Sequence, residues 1–156
     1  MADYRFVTVW RLRAPRSAVW AAVLDSEAWP SWWQGVVSVE RLRPGGKDGV
    51  GETRRYVWRS RLPYTLAFDM ETTLVEPESR LEGRASGELE GTGVWQLEES
   101  DGVTEVRYTW SVRTNRAWMN VLAPLLRPAF AWNHDWVMAR GAEGLARLLG
   151  AELLSK

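Results

Sequence analysis

Residues 3–13 alternate with a period of two. Tyr4, Phe6, Thr8, Trp10 and Leu12 share one face, and Arg5, Arg11 and Arg13 lie on the other with Val7 and Val9. That spacing predicts a strand with one side on a core. At Pro15 the period changes: Val19, Trp20, Val23 and Leu24 recur at helical spacing behind a residue suited to open a helix. The WPSWWQG stretch at residues 29–35 predicts a second, short helix.

Period two then returns and persists. Residues 36–43 read as a strand, and PGGKDGVG at 44–51 supplies a turn. Further strands follow at 52–62, with Tyr56, Trp58, Ser60 and Leu62 opposite Arg55, Arg59 and Arg61, and at 64–75, with Tyr64, Leu66, Phe68 and Met70 opposite Asp69 and Glu71. Residues 80–88, 89–99 and 103–114 repeat the pattern. An apolar face opposite a charged one is the signature of an antiparallel sheet wet on one side. Such a sheet needs a cover. The remaining candidate is a helix from about 118 to 152, whose start Pro124 and Pro128 would kink or restart. The expected order is β-α-α-β-β-β-β-β-β-α. No linker or repeat interrupts residues 1–156, so one α+β domain is expected.

The wheel of the last helix decides which of its residues meet the sheet. Neighbours diverge by about 100°, so Asn133, His134 and Asp135 cannot act together as a triad. With Phe130 at the centre of the apolar stripe, Val137, Gly141, Leu145 and Leu148 share its face, His134 and Asn133 flank it, and Asp135 points to solvent. His134 is the only histidine in the chain. Facing a sheet, it is a hydrogen-bonded core residue, a polar handle in a ligand cavity, or a general acid or base working on what the cavity holds.

Strand parity gives the opposing wall. The bulky inward residues are Phe6, Trp10, Trp58, Phe68, Trp95 and Trp110. The inward polar ones are Thr8, Arg54, Tyr56, Ser60, Tyr64, Thr72 and Tyr108. An apolar space with a few fixed polar groups is how small-molecule sites are built. Tyr56 and Tyr108 also fit as core rings with locally satisfied hydroxyls. Arg54 reads as a carboxylate anchor or as a side chain snorkelling to water. Gly141 and Gly144 on the helix, and Gly83, Gly87, Gly91 and Gly93 on the strands, predict close helix–sheet approach at one end, which tilts the helix and opens a gap at the other. Trp32 and Trp33 would rim that gap or pack the short helix. Trp132 and Trp136 lie on the far side of the long helix. Either the 116–126 segment covers them, or they form a patch for a homodimer, another partner or a membrane surface.

Composition removes other chemistries. The 20 basic and 20 acidic residues cancel, leaving no field to attract nucleic acid. There is no cysteine, hence no disulfide and no thiol nucleophile. One histidine and no evident inward carboxylate give no metal site. GELEGTG at 87–93 lies within strands and lacks the helix-opening context of a dinucleotide fingerprint, and no phosphate loop or Gly-x-Ser-x-Gly elbow occurs, so no cofactor is expected. No apolar run reaches the roughly 20 residues of a membrane span, and nothing at the N-terminus reads as a signal peptide, so a cytoplasmic location is expected.

APRSAVWAAVLD at 14–25, WPSWWQGV at 29–36, LPY at 62–64, SGELEGTGVWQL at 86–97 and FAWNHDWVMARGAEGLARLL at 130–149 resemble the START-related helix-grip superfamily, which includes bacterial polyketide cyclase/dehydrase-like and lipid-transfer proteins. The resemblance implies a curved antiparallel sheet gripping the C-terminal helix. It implies binding or transport of a lipid or polyketide-like molecule between them. The ligand set would then be Thr8, Trp10, Arg54, Tyr56, Trp58, Ser60, Tyr64, Phe68, Trp95, Tyr108, Trp110, Phe130, Asn133, His134 and Val137. Because the scaffold also hosts enzymes and interaction modules, two other readings stand beside this one. One is an aromatase/cyclase moving protons with Tyr56, Tyr108 or His134. The other is a module with a filled core.

Overall fold

The fold is described from a computed structural model, which covers residues 3–156. Seven of its strands follow the alternation: β1 (Asp3–Leu12), β2 (Val36–Arg43), β3 (Thr53–Arg59), β4 (Thr65–Glu76), β5 (Arg80–Gly87), β6 (Leu89–Ser100) and β7 (Val103–Thr114). An eighth, β8 (Leu153–Ser155), closes the chain. All pair antiparallel in one sheet of order β2-β3-β4-β5-β6-β7-β1-β8. Strands β2 to β7 run as successive neighbours. β1 then pairs along its whole length with β7, Phe6 opposite Trp110 and Thr8 opposite Tyr108.

Two helices are as the periodicity predicts, α1 (Arg16–Leu24) and α2 (Ala117–Leu149). α1 follows Pro15 and buries Val19, Trp20 and Val23. The short helix differs: it is a 3-10 segment at Ser26–Ser31 with Pro30 inside it, and Trp32 and Trp33 lie just beyond its end. Poorer hydrogen-bond geometry keeps such helices short.

α2 runs unbroken through Pro124 and Pro128. It stops at Leu149 because Gly150 takes a left-handed φ of 61° and folds the chain back, its N–H donating to Arg147 O while that of Ala151 donates to Ala146 O. The expected 150–152 extension is therefore the turn into β8. The first half of α2 is largely apolar, interrupted by Asn120 and Arg127, and Val121 and Leu125 are 75% and 79% exposed. That half is part of one helix and does not fold back over Trp132, which is 52% exposed. Trp136 is half-buried, with the Arg140 guanidinium 5.6 Å over its ring.

The helix glycines act as close-contact points, against a different partner from the one expected. A Cβ on Gly144 would lie 1.8 Å from the Trp32 carbonyl oxygen, and one on Gly141 would lie 2.4 Å from the Trp33 ring. α2 thus seats on the segment after the 3-10 helix, and not on the sheet backbone. Beyond this seat Leu148 is exposed, although the wheel places it on the Phe130 face. The cover changes along the helix, with α1 and β8 also touching α2.

Candidate functional site

Between α2 and the sheet lies a cavity of about 150 Å³. α2 contributes Met119, Phe130, Asn133, His134, Val137 and Met138. Phe6, Phe68, Trp95, Tyr108 and Trp110 come from the strands, Ser60 and Tyr64 from the β3–β4 connection, and Trp29 and Trp33 from the 3-10 region. Trp58 completes the set of sequence-predicted residues found on this wall. The strand residues converge because period two turns every second side chain to one face of the sheet.

His134 faces this space as the wheel predicts. Its ring stacks on Phe6, centroids 4.3 Å apart and planes within 16°. Burial pulls its pKa down to about 4, so the ring is neutral at pH 7. Nδ1 has no hydrogen-bond partner; Asp135, pointing to solvent, keeps Oδ1 3.9 Å away. Asn133 Oδ1, Tyr4 Oη and Trp58 Nε1 on the same wall are likewise buried without partners among the described residues.

Trp33 fixes the wall in place. It is 2% exposed, and its Nε1 donates to the Val137 carbonyl of α2 at 2.9 Å while its ring lies edge-on to Trp58 at 5.2 Å. Trp32 stacks on Trp33 at 5.6 Å. Of the two roles open to this pair, Trp33 takes both, packing the turn and lining the cavity.

A second cavity of about 90 Å³ lies beyond the first. Five side chains border both, namely Trp29, Trp58, Phe68, Trp95 and Tyr108, and so form a partition. The second cavity holds the polar network. Ser26 Oγ and the Tyr56 hydroxyl are 2.7 Å apart, and Arg54 Nη1 donates to Ser26 Oγ at 2.5 Å and to Leu24 O at 3.0 Å. Arg54 Nη2 reaches Glu52 at 2.7 Å, and Glu52 also meets Arg41 at 2.9 Å. Burial raises the Tyr56 pKa against the opposing pull of Ser26 and Arg54. Tyr108 is raised by burial and by the neighbouring Tyr56. Both phenols are therefore neutral donors.

The geometry places four of the predicted ligand residues away from the first cavity. Arg54 and Tyr56 border the second cavity and not the helix–sheet space, and Arg54 neither snorkels nor offers a free fork. Thr8 and Trp10 border neither cavity. Trp10 is 1% exposed, with Trp33 edge-on to it at 5.6 Å and Trp95 tilted against it at 5.7 Å. Glu52, just ahead of β3, is an inward carboxylate, on the face that period two already assigns to Arg54 and Tyr56, and the sequence reading passed over it. Among the described residues, no three His, Cys, Asp or Glu side chains group as metal ligands.

A family model described as polyketide cyclase/dehydrase and lipid transport matches residues 5–150. No curated protein matches the chain. Among solved structures, the fold is similar to the Zhui aromatase/cyclase from Streptomyces sp. R1128 (TM-score 0.77, 14% identity, 96% of this chain and 94% of that one). It is similar to a START superfamily protein from Mycobacterium smegmatis (TM-score 0.75, 12% identity, 94% and 97%). It also matches the di-domain ARO/CYC BexL from the BE-7585A biosynthetic pathway (TM-score 0.65, 19% identity), covering 92% of this chain and 50% of that one. At these identities the likeness is one of fold.

Proposed function

The chain belongs to the polyketide cyclase/dehydrase and lipid transport family, and from that premise we propose that it binds and carries a hydrophobic small molecule in the cavity between α2 and the sheet. The observation that carries this reading is the cavity wall, which is nearly all aromatic and aliphatic with a few polar groups at fixed points. Phe130 and Val137 would grip the ligand from the helix, Trp58, Phe68, Trp95 and Trp110 from the sheet, and Ser60, Tyr64, Asn133 and His134 would orient it. Titrating the protein with fatty acids, sterols, quinones and aromatic polyketides while following tryptophan fluorescence tests the reading. A saturable response to at least one class is expected, and silence across the panel would remove the carrier.

A cyclase reading is favoured by one observation: His134 is a neutral imidazole, stacked and immobilised on the edge of an apolar space. A neutral ring nitrogen can accept a hydrogen bond from an enol, and Tyr108, which burial keeps protonated, can donate one to a developing enolate oxygen, so the two would stabilise the enol form. Incubating His134→Ala beside wild type with a poly-β-keto substrate distinguishes the two. Altered product profiles support the enzyme, and identical ones leave the carrier.

A further inference from the structure

Among the described residues, no arginine, lysine, aspartate or glutamate borders the first cavity. Its one histidine is neutral at pH 7. The Arg54 cation belongs to the second cavity, beyond the aromatic partition, and is held there by Leu24 O, Ser26 and Glu52. An ionised carboxylate entering the first cavity would shed its water, and the nearest cations, Arg127 over the Tyr4 ring at 4.7 Å and Arg116 over the Tyr64 ring at 5.9 Å, are already engaged by Asp3 O and Glu88.

Uncharged polar groups meet the opposite situation. The Tyr4 hydroxyl, Trp58 Nε1, Asn133 Oδ1 and His134 Nδ1 are all buried without hydrogen-bond partners among the described residues. Together they offer donors and acceptors, none of them ionised. A buried polar atom left unpaired carries its full desolvation penalty, so a guest that pairs with it recovers that loss. Size adds a third constraint: a cavity of about 150 Å³ is the space that takes one benzene-sized ring. The flanking rings of Phe6, Trp95 and Trp110 provide flat faces for it.

We infer that the first cavity selects uncharged compounds inserting a single aromatic ring that bears a hydroxyl or carbonyl group, and that it rejects carboxylates of the same shape. The inference rests on the reading that this cavity is the binding site.

Calorimetric titration at pH 7 with 4-hydroxyacetophenone, its carboxylate counterpart 4-hydroxybenzoate and the apolar 4-ethyltoluene separates the possibilities. The ketone is expected to bind at least tenfold more tightly than the carboxylate and more tightly than the hydrocarbon. The Ser60→Lys variant, which places an ammonium group on the half-buried wall, is expected to raise carboxylate affinity at least tenfold. Equal affinity of ketone and carboxylate in the wild type would overturn the inference and leave the carrier reading intact. Tight binding of the hydrocarbon with no gain from the polar groups would overturn the hydrogen-bonding half. Failure of all three to bind would overturn the inference alone, and the fluorescence titration with the wider panel decides separately whether the reading beneath it stands.

Discussion

Trp33 crosses α2 at Gly141: the indole passes where a Cβ would stand, 2.4 Å from ring carbon Cε2, and ends in a 2.9 Å hydrogen bond to Val137 O. One missing methyl thus sets the height of the helix over the sheet, and with it the roof of the cavity.

Alanine at either helix glycine is therefore expected to destabilise the protein, although alanine gains about 1 kcal/mol of helix propensity. Overpacking costs about 1–3 kcal/mol, and more where backbone must move. Gly144→Ala should be the worse of the two, because its Cβ would strike the Trp32 carbonyl at 1.8 Å, whereas Gly141→Ala strikes a side chain. Urea midpoints would check the order, and equal midpoints for the two variants and wild type would refute the seat.

His134 links stability to pH. Its pKa is about 4 folded, against 6.5 for an exposed histidine, so the unfolded chain binds the extra proton first. Stability from this group is complete above pH 6.5 and is lost as pH falls toward 4, by about 3 kcal/mol at most. Melting temperature should fall across that window, and His134→Phe, which keeps the stacking on Phe6, should flatten the fall. Parallel wild-type and variant curves would assign the dependence to other groups.

Arg54→Met separates the two cavities by function. It removes the guanidinium that holds Ser26 and Glu52 but leaves Glu52 its Arg41 partner, so a loss of about 2 kcal/mol is expected. Affinity for a neutral ligand in the first cavity should stay within twofold. A tenfold drop, measured by calorimetry on the folded variant, would make Arg54 a ligand contact.

What the chain reveals about itself follows from periodicity. Seven strands and α2 were legible because each sustains its repeat over at least seven residues, long enough for Tyr56, Trp58, Tyr108 and Trp110 to declare a common face. His134 was legible for the same reason. β8 spans three residues and is too short to show a period. The Trp10 side chain points inward as parity requires, yet parity is silent on whether an inward ring meets a void or another ring, and here Trp33 and Trp95 fill the space. The division into two cavities was hidden likewise, since Tyr56 and Trp110 share a face and only three-dimensional packing sets the partition between them. The contact of Gly144 with Trp32 joins residues far apart in the chain, which no local pattern encodes.

The five rings shared by the two cavities also set how the protein can change its guest. Because each touches both spaces, trimming one of them, as in Phe68→Ala, would merge two rooms into one chamber with an apolar front and an ionic far end. A lineage carrying such a change would accept longer molecules with a polar tip while keeping every strand pairing that builds the scaffold. Divergence toward new ligands is then a matter of removing a wall and not of redesigning a fold.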